Sequence, residues 1–177
     1  MTEIYTPRLL LRRWREEDLV AMAEIDADPE VMQWVGDGSV RDLEETAEAI
    51  ERWEEEWDDE GFGLFAVELL GSGELAGLTG LSVPHHLPEF SHEVDLRWRL
   101  GRPFWGQGYA SEAAQASLEF ALQDRGLEHV ISVFRPQDTA SGNVARKLGM
   151  TLERETVHPR YGHPLWVHGI DLTEYTG

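Results

Sequence analysis

Arg102-Pro-Phe-Trp-Gly-Gln-Gly-Tyr-Ala-Ser-Glu-Ala113 is the stretch on which the reading of this 177-residue chain turns. Two glycines one residue apart, Gly106 and Gly108, sit between a strand-like segment at 94–100 and an alanine-rich helical segment at 109–123. Strand, glycine turn and helix start in that order make an anion cradle. Glycine lets the backbone turn tightly and come close to a ligand, and the first helix amides, unpaired within the helix, point at it along the positive end of the dipole. A mere tight connection is the plain alternative for the same two glycines.

Working outward, residues 8–14 alternate apolar and basic side chains like a strand, and 16–27 read as an amphipathic helix stopped near Pro29. Residues 42–60 form a strongly acidic helix with Trp53 and Trp57 four apart on one face. Residues 62–70 and 75–83 are two strands joined by Gly71-Ser-Gly73, followed by a loop at 84–88. After the glycine turn and its helix come a strand at 130–134 and a short helix at 139–148 ended by Gly149. Strands at 151–157 and 165–172, with Pro159 and Gly162 between them, close the chain. This order predicts an α/β protein, a mixed sheet covered by helices, in one domain over 1–177.

A net charge of -19 argues against nucleic acid, because phosphate contacts need Lys and Arg. Cationic partners fit it better. The acidic helix is read either as a solvated helix whose tryptophans pack on the core or as the border of a cleft that draws in a positive substrate. With no cysteine, a disulfide framework, a thiolate zinc site and a cysteine nucleophile are excluded. His85, His86, His92, His158, His163 and His168 lack the spacing of a metal motif, so no metal is expected. The N-terminus has no signal-peptide pattern, and no apolar run approaches the ~20 residues of a membrane span. A cytoplasmic protein with no membrane contact is the expectation.

Trp105-Gly-Gln-Gly-Tyr-Ala110 resembles the acyl-CoA pyrophosphate loop of the GNAT superfamily of N-acyltransferases, with Trp105 where that loop has Gln or Arg. The continuation Ser111-Glu-Ala113 is similar to the RimJ/RimL branch, the ribosomal-protein N-terminal acetyltransferases. Three further segments agree: Thr6-Pro-Arg-Leu-Leu-Leu-Arg-Arg-Trp14 with Asp28-Pro-Glu-Val-Met32, Gly73-Glu-Leu-Ala-Gly-Leu-Thr-Gly80, and Arg135-Pro-Gln-Asp-Thr-Ala-Ser141 through Arg146-Lys-Leu-Gly-Met150. The resemblance implies a mostly antiparallel sheet of about seven strands flanked by helices and splayed between the fourth and fifth, here 94–100 and 130–134. It implies acetyl-CoA as donor, with Arg102, Trp105, Gly106, Gln107, Gly108, Tyr109, Ala110 and Ser111 around the pyrophosphate. Backbone groups of Trp98 and Leu100 would pair with the pantetheine amides, and an amide near Trp98 would polarise the thioester carbonyl.

Direct acetyl transfer to an amine needs a base for the amine proton and a donor for the leaving thiolate. The resemblance puts Asp95 where the family often has Glu, with Glu93, two residues earlier on the same strand face, ranked second. Both also read as solvent-facing carboxylates paired with Arg97 or Arg99. The resemblance to the RimJ/RimL branch, which commonly has a Ser near the CoA sulfur, implies Ser141 as the donor to the leaving thiol, and the tyrosine acid of other branches would fall at Ala145. Ser141, Thr139 and Asp138 equally suit a helix cap, and Asp138 replaces the family's Asn beside the pantetheine. The acceptor implied is a protein N-terminus or a small cationic amine, with His158 in a loop that would face it, and a homodimer is compatible with the reading. Two rivals stand beside it. A Rossmann-type enzyme is suggested by Gly106-x-Gly108-x-x-Ser111, though that turn is mid-chain. A GNAT-like module that binds acyl-CoA without transferring it is suggested by the departures at Trp105, Asp95 and Asp138.

Overall fold

The computed structural model describes residues 2–175. One sheet of eight strands runs in the order β1-β2-β3-β4-β5-β6-β8-β7. The strands are β1 (Ile4–Tyr5), β2 (Leu9–Arg12), β3 (Leu64–Leu69), β4 (Leu75–Ser82), β5 (Asp95–Leu100), β6 (His129–Phe134), β7 (Thr151–Val157) and β8 (Pro164–Asp171). All neighbours pair antiparallel except β5 and β6, which are parallel and share a single register pair, Asp95 with Ile131. The helices are α1 (Asp18–Asp26), α2 (Pro29–Met32), α3 (Leu43–Glu60), α4 (Tyr109–Gln123) and α5 (Thr139–Lys147).

Two departures from the sequence reading concern the N-terminal edge. The expected strand at 8–14 is cut to Leu9–Arg12, because Trp14 turns inward and its indole N–H donates to Leu64 O at 2.9 Å. Ile4–Tyr5 then pairs with Leu10–Leu11 and makes the eighth strand, a two-residue element too short to show a period. Arg12, read as a basic residue in an alternating strand, is buried and grips Asp18 with both terminal nitrogens, at 2.8 and 2.9 Å.

Amphipathicity explains how the layers form. α3 opens with a capping box, Asp42 accepting from the Glu45 amide and Glu45 from the Asp42 amide, and Gly61 closes it in the left-handed region at φ 75°. Its Thr46, Ala49, Trp53 and Trp57 share one buried face; Ala49 and Trp53 pack with α1 against Leu64, Ala66 and Leu78 of the sheet, and Trp57 packs on Phe65 and Phe120. On the opposite side, the alanine-rich α4 brings Ala113, Ala114 and Leu118 close to Leu81, Leu96 and Leu100. A third apolar cluster, Leu87, Phe90, Ile131, Leu165 and Val167, pins the 84–93 loop to β6 and β8. Among the described residues no helix is long and apolar enough to cross a membrane.

Candidate active site

The opening between β5 and β6 follows from what occupies their ladder. Ile131 N donates to Val94 O at 2.9 Å, but one step on, the Leu96 carbonyl receives the Ser132 hydroxyl at 3.0 Å instead of a backbone amide. The Val133 amide turns to Asp95 Oδ1 at 3.3 Å. Side-chain bonds therefore replace backbone pairing, and the strands separate. Because backbone direction alternates along a strand, Val94, Leu96, Trp98 and Leu100 present their N–H and C=O groups to the β6 side. The Leu100 carbonyl is taken by the Trp105 indole at 2.9 Å, which leaves the Trp98 peptide groups facing the open wedge.

A cavity of about 610 Å³ lies on the α4–α5 side of this wedge. Trp98 and Leu100 of β5, Trp105, Gly106 and Gly108 of the turn, and Tyr109, Ala110 and Ser111 of α4 line it on one side, and Asp138 with Ser141, Asn143 and Lys147 of α5 on the other. Gly106 and Gly108 have φ of 74° and 82°, values that favour glycine, and α4 starts on Gly108 with no side-chain cap. The first-turn amides are thus left for a ligand. A Cβ built on Gly106 would meet nothing within 4 Å, so this glycine serves the turn; one on Gly108 would press Arg8 Nη2 at 3.3 Å.

The loop is braced from the N-terminal edge by residues that the sequence did not single out. Arg8 donates to Gln107 O at 2.8 Å and to Glu112 Oε1 at 2.8 Å, and its guanidinium lies 4.3 Å from the Tyr109 ring centre. Glu112 also accepts the Thr6 hydroxyl and the Arg8 amide. Lys147 and Asn143 were likewise missed; their i, i+4 spacing on α5 was the available signal. Arg102 and Gln107, expected at the pyrophosphate, line neither cavity. Arg102 is paired with Asp28, its Nε 2.9 Å from Oδ2, and Gln107 bonds Pro103 O.

A smaller cavity of about 140 Å³ opens on the other side of the sheet, lined by Asp95, Arg97, Arg99, His86, His158, His163 and the 34–36 loop among others. The two cavities share Trp34, Val35, Trp98, Arg99, Asp138 and Ser141 as a common wall. Asp95 is 4% exposed, and burial pushes its carboxyl up to about 7 against the opposing pull of Arg97 and the Val133 amide. Burial first, then repulsion from Arg97, takes His86 down to about 4. Glu93 lies outside: His129 bridges it and Glu153 at 3.0 Å each, and it lines neither cavity. Among the described residues no cluster of three or more His, Cys, Asp or Glu side chains is arranged to hold a metal ion.

Asp138 is the cap of α5, accepting the Ser141 amide at 3.1 Å, and its second oxygen takes the Ser141 hydroxyl at 2.7 Å. Of the two readings of the acidic helix, the one that makes it a border of the acceptor cleft finds no support in the cavity linings, which include none of its residues. Its Glu54 and Asp58 face Arg13, and Glu56 holds the Val83 amide. The tryptophan stripe packs inward, and Glu56, beside the cross-strand neighbour of Asp95, adds to the rise of the Asp95 carboxyl.

A glycine-opened helix beneath a splayed sheet, with two cavities meeting at the splay, defines an acyltransferase. The chain belongs to the GNAT acetyltransferase family, its residues 8–151 matching the model of the acetyltransferase (GNAT) domain. It is similar to YkkB of Bacillus subtilis (strain 168), with 30% identity over 152 residues, 84% of this chain and 85% of that protein. Among solved structures, an acetyltransferase from Agrobacterium tumefaciens str. C58 superposes with TM-score 0.81 at 29% identity, covering 96% of this chain and 94% of the other. RimL, a ribosomal alpha-N-protein acetyltransferase in complex with coenzyme A, superposes with TM-score 0.79 over 96% and 98% of the two chains. At 19% identity that likeness is one of fold.

Proposed function

We propose that the protein transfers an acetyl group from acetyl-CoA directly to a primary amine, the two substrates entering from opposite faces of the sheet and meeting at Trp98. The observation that carries this reading is the common wall of the two cavities, with the Trp98 peptide groups facing the wedge between them. The residues present fit the donor. Uncapped α4 amides beyond Gly108 suit a pyrophosphate, Lys147 adds a cation on the same side, and the open β5 edge offers backbone partners to an amide-bearing arm.

Asp95 accepts the amine proton, directly or through one water, as the nitrogen bonds the acetyl carbon and the carbon–sulfur bond breaks. A carboxyl that titrates near 7 is matched to that work at neutral pH. Ser141 gives its hydroxyl proton to the departing sulfur and regains one from solvent. Glu93, tied to His129, takes no part. A peptide N-terminus is an acceptor of the right kind, and the RimL fold likeness makes the RimJ/RimL branch a natural place for the chain.

The test mixes the protein with acetyl-CoA and a panel of primary amines and follows free thiol. Acetylated product with a folded Gly108→Glu variant that has lost donor affinity is the expected result, because the substitution adds bulk and negative charge at the cradle. Donor binding with no thiol release for any amine would make the protein a binder.

A further inference from the structure

The smaller cavity sets two arginines, Arg97 and Arg99, against two carboxyl groups, Asp95 and Asp138, in a molecule that is otherwise strongly acidic. In a chain of net charge -19, Arg8, Arg12, Arg13, Arg15, Arg41, Arg99, Arg102 and Arg154 each lie within 4 Å of a carboxylate. Arg97 makes no ion pair or side-chain hydrogen bond among the described residues, and it lines the cavity half-buried. Two residues along the same face of β5, Arg99 is 6% exposed; one of its terminal nitrogens reaches Asp26 at 2.9 Å, while its Nε is buried with no partner. Arg41 also stands over Asp26, so the carboxylate is shared by two guanidinium groups. His158 accepts the amides of Arg160 and Tyr161 at Nδ1, which puts the proton of its neutral ring on Nε2 as a donor. Arg97 acts on Asp95 across the cavity without an ion pair, so its guanidinium keeps its hydrogen-bond donors for an arriving anion.

Asp95 and Arg97 lie on the same strand face, about 6.6 Å apart along the strand. One substrate therefore meets a proton acceptor and a fixed cation together. We infer that the acceptor is a primary amine carrying an anionic group, a carboxylate or a phosphate, a few bonds from its nitrogen, and that Arg97 receives that group while Asp95 receives the proton. This rests on the acetyl-transfer reading above and replaces the cationic acceptor suggested by net charge with an anionic one. A planar guanidinium with no internal partner is suited to two parallel bonds to either anion.

Matched pairs test it with thiol release as the readout: glycine against glycinamide for the carboxylate, 2-aminoethyl phosphate against ethanolamine for the phosphate, and putrescine as a dication. The wild type should prefer at least one acid over its neutral partner by about 10- to 100-fold in kcat/KM. Arg97→Gln should flatten that preference with the KM for acetyl-CoA unchanged, and Arg97→Lys should keep part of it. Should Arg97→Gln fail to fold, propionate and methyl phosphate serve as probes on the wild type: at least one must compete with the amine. Equal or better turnover of the neutral partners or putrescine overturns the anionic acceptor and leaves acetyl transfer standing. No thiol release with any amine overturns acetyl transfer itself.

Discussion

Asp95 sits where the needs of folding and of catalysis oppose each other. Its carboxyl ordinarily titrates near 4 in the unfolded chain, and burial raises it to about 7 in the folded one. Below about pH 4 both states hold the proton and nothing is lost. As pH rises from there to 7 the unfolded state ionises while the folded state stays protonated, so stability falls, and above 7 the whole loss is present. Asp95→Asn should therefore stabilise the protein by about 1–3 kcal/mol at pH 8 and by much less at pH 4, as denaturant midpoints would show. The same variant should cut turnover by about 10²–10⁴-fold and remove the limb of kcat/KM that rises through pH 7. A second residue pair gives an independent test. Asp138→Asn keeps a good cap for α5, and its amide can donate to Ser141 Oγ, turning the hydroxyl proton toward the cavities. Its kcat should equal or exceed the wild type's, whereas Ser141→Ala should lower kcat with donor affinity intact.

The donor loop depends on an element far away in sequence. Glu112, in the first turn of α4, receives three hydrogen bonds from Thr6 and Arg8 and ties the helix start to the edge of β2. Glu112→Ala should destabilise the protein by about 1–2 kcal/mol, discounted for the partial exposure of Arg8, and raise the KM for acetyl-CoA while the amine KM holds. Here lies the boundary of what the sequence displayed. α4 runs over Tyr109–Gln123 as its alanine periodicity predicts, and α3, β4, α5 and β7 fall within a residue or two of expectation. Those elements announce themselves through local pattern. The Thr6–Arg8–Glu112 brace, the Glu93–His129 bridge and the pairing of Arg102 with Asp28 join residues tens of positions apart, and periodicity carries no trace of them. The strand pattern suggests Arg97 as a partner for a strand carboxylate, and only the assembled cavity shows it near Asp95 yet without an ion pair.

At the scale of the whole molecule, excess negative charge and anionic ligands repel one another at long range, while the short-range groups at Gly108, Lys147 and Arg97 attract. Salt shortens the first effect before it reaches the second, since the screening length falls from about 30 Å at 0.01 M to about 10 Å at 0.1 M. Raising ionic strength over that range should increase kcat/KM for acetyl-CoA, and a steep fall would show that the cradle's cations dominate the approach instead.

The six residues that belong to both cavities carry a consequence for the order of events. Trp34 and Val35 come from a loop that Arg135 anchors by its bond to Gly36 O, so the partition is a tethered loop on one side and strand and helix start on the other. Occupying one chamber then settles the shape of its neighbour, and thermodynamic reciprocity requires the help to run equally in both directions. Calorimetric titration of an unreactive thioether analogue of the donor should tighten when a saturating amine is present, by the same factor that the donor tightens the amine. Cutting that tether with Arg135→Ala should erase the mutual reinforcement and leave two independent binding constants.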